Sequence, residues 1–259
     1  MKQNILLSIA ELSANKIKNT KTNESFFYEP FQYLVIDDFL PIQIAESCCR
    51  SFPSLIDSEL WDYTEDQNIE VKYRSRWSNE FDIPDGLIDT VRILNSSLVL
   101  KEISKKFNID KLMPDPYFTG GGLNITKPGG VLDVHVDGNY HDASGLNRRI
   151  NAIIYFNPGW KKEWGGEFGI YDNSGQICLK KIAPLFNRLI IFDTHDFSYH
   201  GLPDPLNFPE GEIRKSLILY YYSIVPRPAH LVETNEPHSA LWVKNNYHDK
   251  LGKKNRNFK

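Results

Sequence analysis

The stretch Gly129-Gly130-Val131-Leu132-Asp133-Val134-His135-Val136-Asp137 decides the fold. Its two glycines mark a turn, and the alternation that follows through Val136 is that of a β-strand. Side chains at i and i+2 of a strand point to the same face, so His135 and Asp137 converge and can share one metal ion. A His-x-Asp triplet arises often by chance; its place on a strand and not in a polar loop gives it weight. Two histidines and one carboxylate on one side of an ion leave the other side open to further ligands. A second histidine from a later strand is therefore required.

Two candidates follow, His195 and His200. Residues 189–193 read as a buried strand running out into a polar turn that holds His195. His200 opens the next extended piece, with Gly201-Leu202 behind it, and local sequence favours His200.

Beyond Pro114 the chain reads as short strands at 120–125, 131–136, 149–156, 166–171, 177–182, 188–192 and 216–224, separated by Gly, Pro, Asn and Asp turns. Many short strands at this spacing indicate a sandwich or jelly roll. Upstream, Ile5, Ile9, Leu12 and Ile17 stand near helical spacing, residues 31–36 form a strand, and Pro41 opens a helix that ends near 51–53. A strand is expected at 69–77 and two helices within 83–107, broken near 95–97. The expected architecture is mainly β with flanking α-helices: a double-stranded β-helix (jelly roll) core at about 116–226 with mixed N-terminal elements at about 1–115. A C-terminal extension, 227–259, contains Ala240-Leu241-Trp242-Val243, apolar enough to dock on the core. With no repeat or flexible linker, the 259 residues read as one domain.

A formal net charge of -3 provides no global basic field for nucleic acid, and the short basic tail at 250–259 reads as a solvated end. Glu11 interrupts the apolar start too early for a secretory signal, and no later apolar run spans a bilayer. Cys48, Cys49 and Cys178 do not suggest a disulfide framework. A cytoplasmic protein with neither nucleic-acid nor membrane partners is expected.

Arg214-Lys215-Ser216 opens a strand in which Arg214 and Ser216 share a face, and a guanidinium beside a hydroxyl suits a carboxylate. With the triad in place, these motifs resemble the Fe(II)/2-oxoglutarate-dependent oxygenase superfamily, prolyl 4-hydroxylase-like group, most strongly over about 120–224. The resemblance makes His135, Asp137 and His200 the iron ligands and catalytic centre. It assigns Arg214 and Ser216 to the distal carboxylate of 2-oxoglutarate, with Tyr155 hydrogen-bonding the same group. Asn124 stands where many relatives carry a tyrosine near the cosubstrate, and joins the cosubstrate-binding candidates. Trp164-Gly165-Gly166-Glu167-Phe168 is similar to the family's Gly-Gly-Glu turn, and Tyr33 through Pro41 to its N-terminal strand and helix.

The implied activity is that of a dioxygenase using Fe(II), 2-oxoglutarate and molecular oxygen, with ascorbate an accessory that the resemblance allows. It would hydroxylate an unactivated C–H bond of an amino acid, peptide or other small molecule; Asp137 sets it apart from related halogenases, which lack that carboxylate. The competing readings are a cupin-like metal-binding isomerase or binding protein without oxygenase activity, and a scaffold with a decayed site. Arg74, Arg76 and Trp77 are candidates to border a polar substrate, and Arg149 is the alternative anchor to Arg214.

Overall fold

The helical periodicities of the first third become α1 (Lys2–Lys18), α2 (Ile42–Arg50), α3 (Asp85–Leu94) and α4 (Ser97–Phe107) in the computed structural model, which describes residues 2–66, 69–202 and 204–243. The basic tail at 250–259 lies outside the described residues. Pro41 immediately precedes α2, where its fixed φ and missing N–H cost nothing. Ser96 caps α4 through its hydroxyl, which accepts from Val99 N at 3.4 Å, and Asn108 ends that helix in the left-handed conformation at φ 53°. The buried stripe of α1 is Ile9, Ala10, Ser13, Ala14 and Ile17, while Ile5 and Leu12 are exposed. Ala10 and Ala14 present little bulk, which suits close packing on α4, so the buried face differs from the one marked by large residues alone.

The strands are β1 (Phe26–Phe27), β2 (Tyr33–Ile36), β3 (Trp61–Asp66), β4 (Glu70–Ser75), β5 (Met113–Pro114), β6 (Gly122–Thr126) and β7 (Leu132–Val136). They continue with β8 (Asn147–Tyr155), β9 (Phe168–Tyr171), β10 (Cys178–Ile182), β11 (Leu189–Asp193), β12 (His200–Leu202), β13 (Arg214–Ser223) and β14 (Leu241–Trp242). Their order is β1-β2-β11-β8-β13-β6-β4-β7-β12-β9-β10, with β3 on β4, β5 on β13 and β14 on β7. The first seven form a major sheet and the last four a minor one, joined where Glu70 pairs with Leu132. This curled antiparallel arrangement is the expected jelly roll. Strand β3 escapes the sequence reading because it is a polar edge strand that buries only Trp61.

Strict alternation gives the major sheet two different faces. Leu123 and Ile125, Ala152 and Ile154, Leu189 and Ile191, and Leu217, Leu219 and Tyr221 share a core with Leu87, Val91, Leu94, Val99 and Ile103 of the helices. The opposite face turns into the roll, where Ile153, Tyr155, Ile190 and Phe192 pack on Phe168 and Ile170 of the minor sheet. The helices thus brace the sheet from outside and leave its inner face for the site. Leu217, at 0% exposure, lies at the centre of that outer contact. Leu217→Ala should cost about 2–5 kcal/mol, read as a lower denaturation midpoint, with metal stoichiometry of the folded fraction unchanged. An unaltered midpoint would mean that the helices do not depend on the sheet for their core.

Candidate metal centre

The pairing of β12 with β7 sets His200 directly opposite His135. His135 Nε2 lies 3.7 Å from Asp137 Oδ1, and His200 Nε2 lies 3.5 Å from Asp137 Oδ2. One donor atom from each residue falls within 4.8 Å of the others, and all three side chains are buried. His195 takes no part: it sits in the turn after β11, where its Nδ1 accepts from Phe197 N at 3.1 Å. Burial pushes its imidazolium down to about 3.

The two imidazoles are aimed by backbone carbonyls. His135 Nδ1 is 2.8 Å from Asp133 O, and His200 Nδ1 is 2.9 Å from Ser198 O. A carbonyl only accepts, so each Nδ1 carries the proton and each Nε2 lone pair is left toward Asp137. Burial, aided by the neighbouring His135, pushes the His200 imidazolium down to about 4, which keeps this ring neutral and ready to ligate. Burial alone would raise the Asp137 carboxyl, but Arg148 and the two histidines outweigh it and hold the group well below the usual carboxylate range. Asn151 Nδ2 donates to Asp137 Oδ2 at 2.7 Å, and Arg148 Nη2 stands 3.2 Å from Oδ1. Arg148 is in turn fixed by Nε donating to Asn151 Oδ1 at 3.0 Å and by stacking 3.5 Å above the Tyr220 ring. Two imidazole nitrogens and an ionised carboxylate in a buried cluster fit a divalent transition metal of the Fe(II) type.

A second set of residues lies on the inner face of the major sheet. Ser216 is directly opposite both Tyr155 and Asn124, so these side chains share a face with Arg214. Arg214 is buried; its Nε donates to Gly166 O at 2.9 Å, and its Nη2 donates to the Tyr155 hydroxyl at 3.3 Å. Asn124 Nδ2 donates to Gly122 O in its own strand, at 3.4 Å. Gly166 has φ +71°, and a Cβ there would fall 2.4 Å from Leu206 and 3.1 Å from Arg214, so the Gly-Gly-Glu turn makes room for the arginine. Leu206 and Phe208, between His200 and Arg214, pack with Trp160 and Trp164, and the Leu206 backbone hydrogen-bonds to Gly129 and Gly130 in the turn before β7.

Sequence reasoning missed Arg148, Asn151, Tyr220 and Trp242. The pairing of β8 with β13 shifts register between Tyr221 and Tyr222, which leaves Arg149 as the extra residue of a bulge. Simple alternation places Arg149 on the face of Asn151 and Tyr155; the bulge exchanges it for Arg148. Arg149 Nη1 instead donates to Val225 O and Pro226 O, at 3.3 and 3.4 Å, away from the triad. Of the proposed border residues, Arg76 is taken up by Asp62 at 2.7 Å and Trp77 is buried against Phe118. Arg74, opposite Asn124, shares the inner face. A groove of ≈ 1130 Å³ runs past Leu12, Phe27, Trp160, Lys180 and Arg188 and contains none of these site residues.

Residues 121–222 match the family model of the 2OG-Fe(II) oxygenase superfamily. Over that segment, less than half of its length, the chain is similar to members of that superfamily. The matched segment contains the triad, Tyr155, Arg214 and Ser216, so the superfamily match and the geometry fall on the same residues. Prolyl 3-hydroxylase OGFOD1 of Mus musculus is 29% identical over 86 residues, 32% of this chain but only 15% of that protein's length. A prolyl hydroxylase from Trichoplax adhaerens, solved in complex with a hypoxia inducible factor oxygen degradation domain peptide fragment, superposes with a TM-score of 0.54 at 16% identity. The match covers 85% of this chain and 92% of that one. A Pseudomonas putida prolyl-4-hydroxylase gives a TM-score of 0.53 at 14% identity over 82% of this chain and 98% of its own. At these identities the likeness to oxygenases of known structure is one of fold.

Calorimetric titration with Co(II) should show one site, lost in His135→Ala, Asp137→Ala and His200→Ala, whose circular dichroism stays that of the wild type. His195→Ala should bind as the wild type does. A loss confined to His195→Ala would transfer the third ligand to that residue.

Proposed function

We propose that the protein is an Fe(II)- and 2-oxoglutarate-dependent dioxygenase that hydroxylates an unactivated C–H bond of an amino acid, peptide or other small molecule. The observation that carries this reading is the charge on Arg214. Arg148 faces Asp137, Arg188 faces Asp37, and Arg227 faces Asp196, yet among the described residues no carboxylate lies within ion-pair distance of the buried Arg214. Removing a guanidinium from water costs several kcal/mol unless a counter-charge meets it. A carbonyl and a phenol supply hydrogen bonds but no charge, so an acidic ligand completes the site.

In this reading His135, Asp137 and His200 would hold the metal, and Arg214 would take the distal carboxylate of 2-oxoglutarate. Bound iron, with 2-oxoglutarate and molecular oxygen, supplies the oxidant for C–H hydroxylation, leaving succinate and carbon dioxide as coproducts. The chain's part is orientation. Asp133 O and Ser198 O set the imidazole tautomers, Asn151 and Arg148 fix the carboxylate, and Arg214 with Tyr155 receives the distal carboxylate, with Ser216 and Asn124 alongside. Burial of the whole group strengthens each of these contacts by excluding water.

The relatives named as prolyl hydroxylases make prolyl peptides the first substrates to test. The helices share the core of the major sheet, which supports one catalytic unit with no internal boundary. Among the described residues no helix is long and apolar enough to cross a membrane, and the three free thiols fit a reducing, cytoplasmic setting. A cupin-like isomerase or binding protein has no use for an anion anchor such as Arg214.

Succinate formation with Fe(II) and 2-oxoglutarate tests the reading. Arg214→Ala breaks a charge-assisted pair in a buried site, a loss of about 2–5 kcal/mol, so the 2-oxoglutarate concentration for half-maximal rate should rise well over tenfold. Tyr155→Phe removes one hydrogen bond, about 0.5–1.5 kcal/mol, and should have the smaller effect. Unchanged 2-oxoglutarate binding in Arg214→Ala would remove the basis of the assignment.

A further inference from the structure

We infer that Trp242, carried by a C-terminal strap over residues 232–243, is a positioning residue that braces the imidazole of His135. The inference rests on the reading that the triad holds a metal ion. It starts from an asymmetry between the two histidines. The His200 ring is wedged between Phe168 and Phe192, at centroid distances of 5.3 and 4.7 Å, both supplied by the interior of the roll. The His135 ring meets His200 at 4.4 Å and, among the described residues, one other ring: the indole of Trp242, at 4.5 Å and tilted 33°. One metal-binding imidazole is thus held by the core, the other by a segment that arrives after the jelly roll is complete.

The strap follows the whole ligand motif in antiparallel sense. Asn139 clamps it with both ends of its amide, Nδ2 donating to Glu236 O at 3.0 Å and Oδ1 accepting from His238 N at 2.8 Å. At Gly138, the residue after Asp137, a Cβ would fall 2.9 Å from His238 O and 3.3 Å from Ser239 Cα, so the strap backbone occupies the space a side chain would need. Leu241 then pairs with Val136 and Trp242 with His135, and Val243 N donates to Val134 O at 2.9 Å. The far end is moored at buried Asp196, which takes Arg227 Nη1 at 2.8 Å and Glu233 N at 2.7 Å. Directly paired residues of adjacent strands present their side chains to the same face, so this register delivers the indole to the imidazole.

Trp242 touches a ligand and not the ion, and the Nδ1 hydrogen bond to Asp133 O leaves the ring free to rock about that contact. A flat wall against the ring face removes this freedom. Supporting contacts of this kind are worth about ten- to a hundredfold in metal affinity.

Co(II) titration of the full chain, followed by calorimetry and by tryptophan emission, is the test. Co(II) should quench wild-type emission, and Trp242→Phe should lose most of that quenching while keeping near wild-type affinity, because a phenyl ring still supplies the wall. Trp77→Phe should keep the quenching. Trp242→Ala should bind Co(II) about tenfold more weakly with unchanged circular dichroism. Asn139→Ala, which loosens the strap without touching the indole, should weaken binding in the same direction and provides the readout if Trp242→Ala does not fold. Wild-type affinity in a folded Trp242→Ala, or in Asn139→Ala where that variant is the readout, overturns the inference and leaves the metal site standing. No Co(II) binding by the wild type overturns the metal site and the inference with it.

Discussion

Pairing β12 antiparallel to β7 puts His200 opposite His135 although most of the jelly roll lies between them in sequence. Everything else at the triad follows from that register. Each imidazole donates its Nδ1 proton to a carbonyl two residues earlier, on β7 itself for His135 and in the turn leading into β12 for His200, so the local backbone that positions the ring also sets its tautomer. Asp137 needs only the period of two to join them. A slip of one residue in this pairing would turn His200 to the opposite face of the sheet, and Phe168 and Phe192 against its ring oppose such a slip by filling the space beside it.

The major sheet is what allows a polar site to exist inside a folded protein. One set of alternating residues joins the helices in an apolar core, and the other carries Arg214, Ser216, Asn124 and Asn151 inward. Tyr221 lies on the helix side and donates its hydroxyl to Leu94 O at 3.2 Å, while its neighbour Tyr220 stacks on Arg148 within the roll. Adjacent residues of one strand thus serve stability and chemistry without competing for the same side of the sheet.

How much of this is legible in the sequence depends on the range of the signal. The pairs His135 with Asp137 and Arg214 with Ser216, and the strand sequence of the core, are legible because each rests on a local pattern of period two, whereas Tyr155 enters only through the family resemblance. Arg148 is not, because the bulge at Arg149 reverses the alternation, and a bulge is set by the partner strand. Strand β3 is not, because an edge hairpin exposed to water carries no apolar alternation. Trp242 is legible as an apolar residue that docks somewhere; its contact with His135 depends on Asn139 and Gly138, a hundred or so residues upstream. The exposed Ile5 and Leu12 show the same limit for helices: spacing identifies α1, but the partner helix selects the face.

The charges in the roll bear on the choice of cosubstrate. Asp137 and Arg148 offset one another at the triad, whereas Arg214 retains its positive charge among the described residues. A divalent ion at the triad adds positive charge there. A dicarboxylate spanning the two places therefore meets a positive charge at each end, in surroundings where charge interactions are stronger than in water. The metal and the dianion then favour each other's binding, and that coupling is reciprocal. A 2-oxo acid lacking the far carboxylate satisfies only the metal end and leaves Arg214 buried and unmet. On the proposed reading the site would discriminate for a dicarboxylate mainly by the penalty it imposes on the ligand that lacks the second charge.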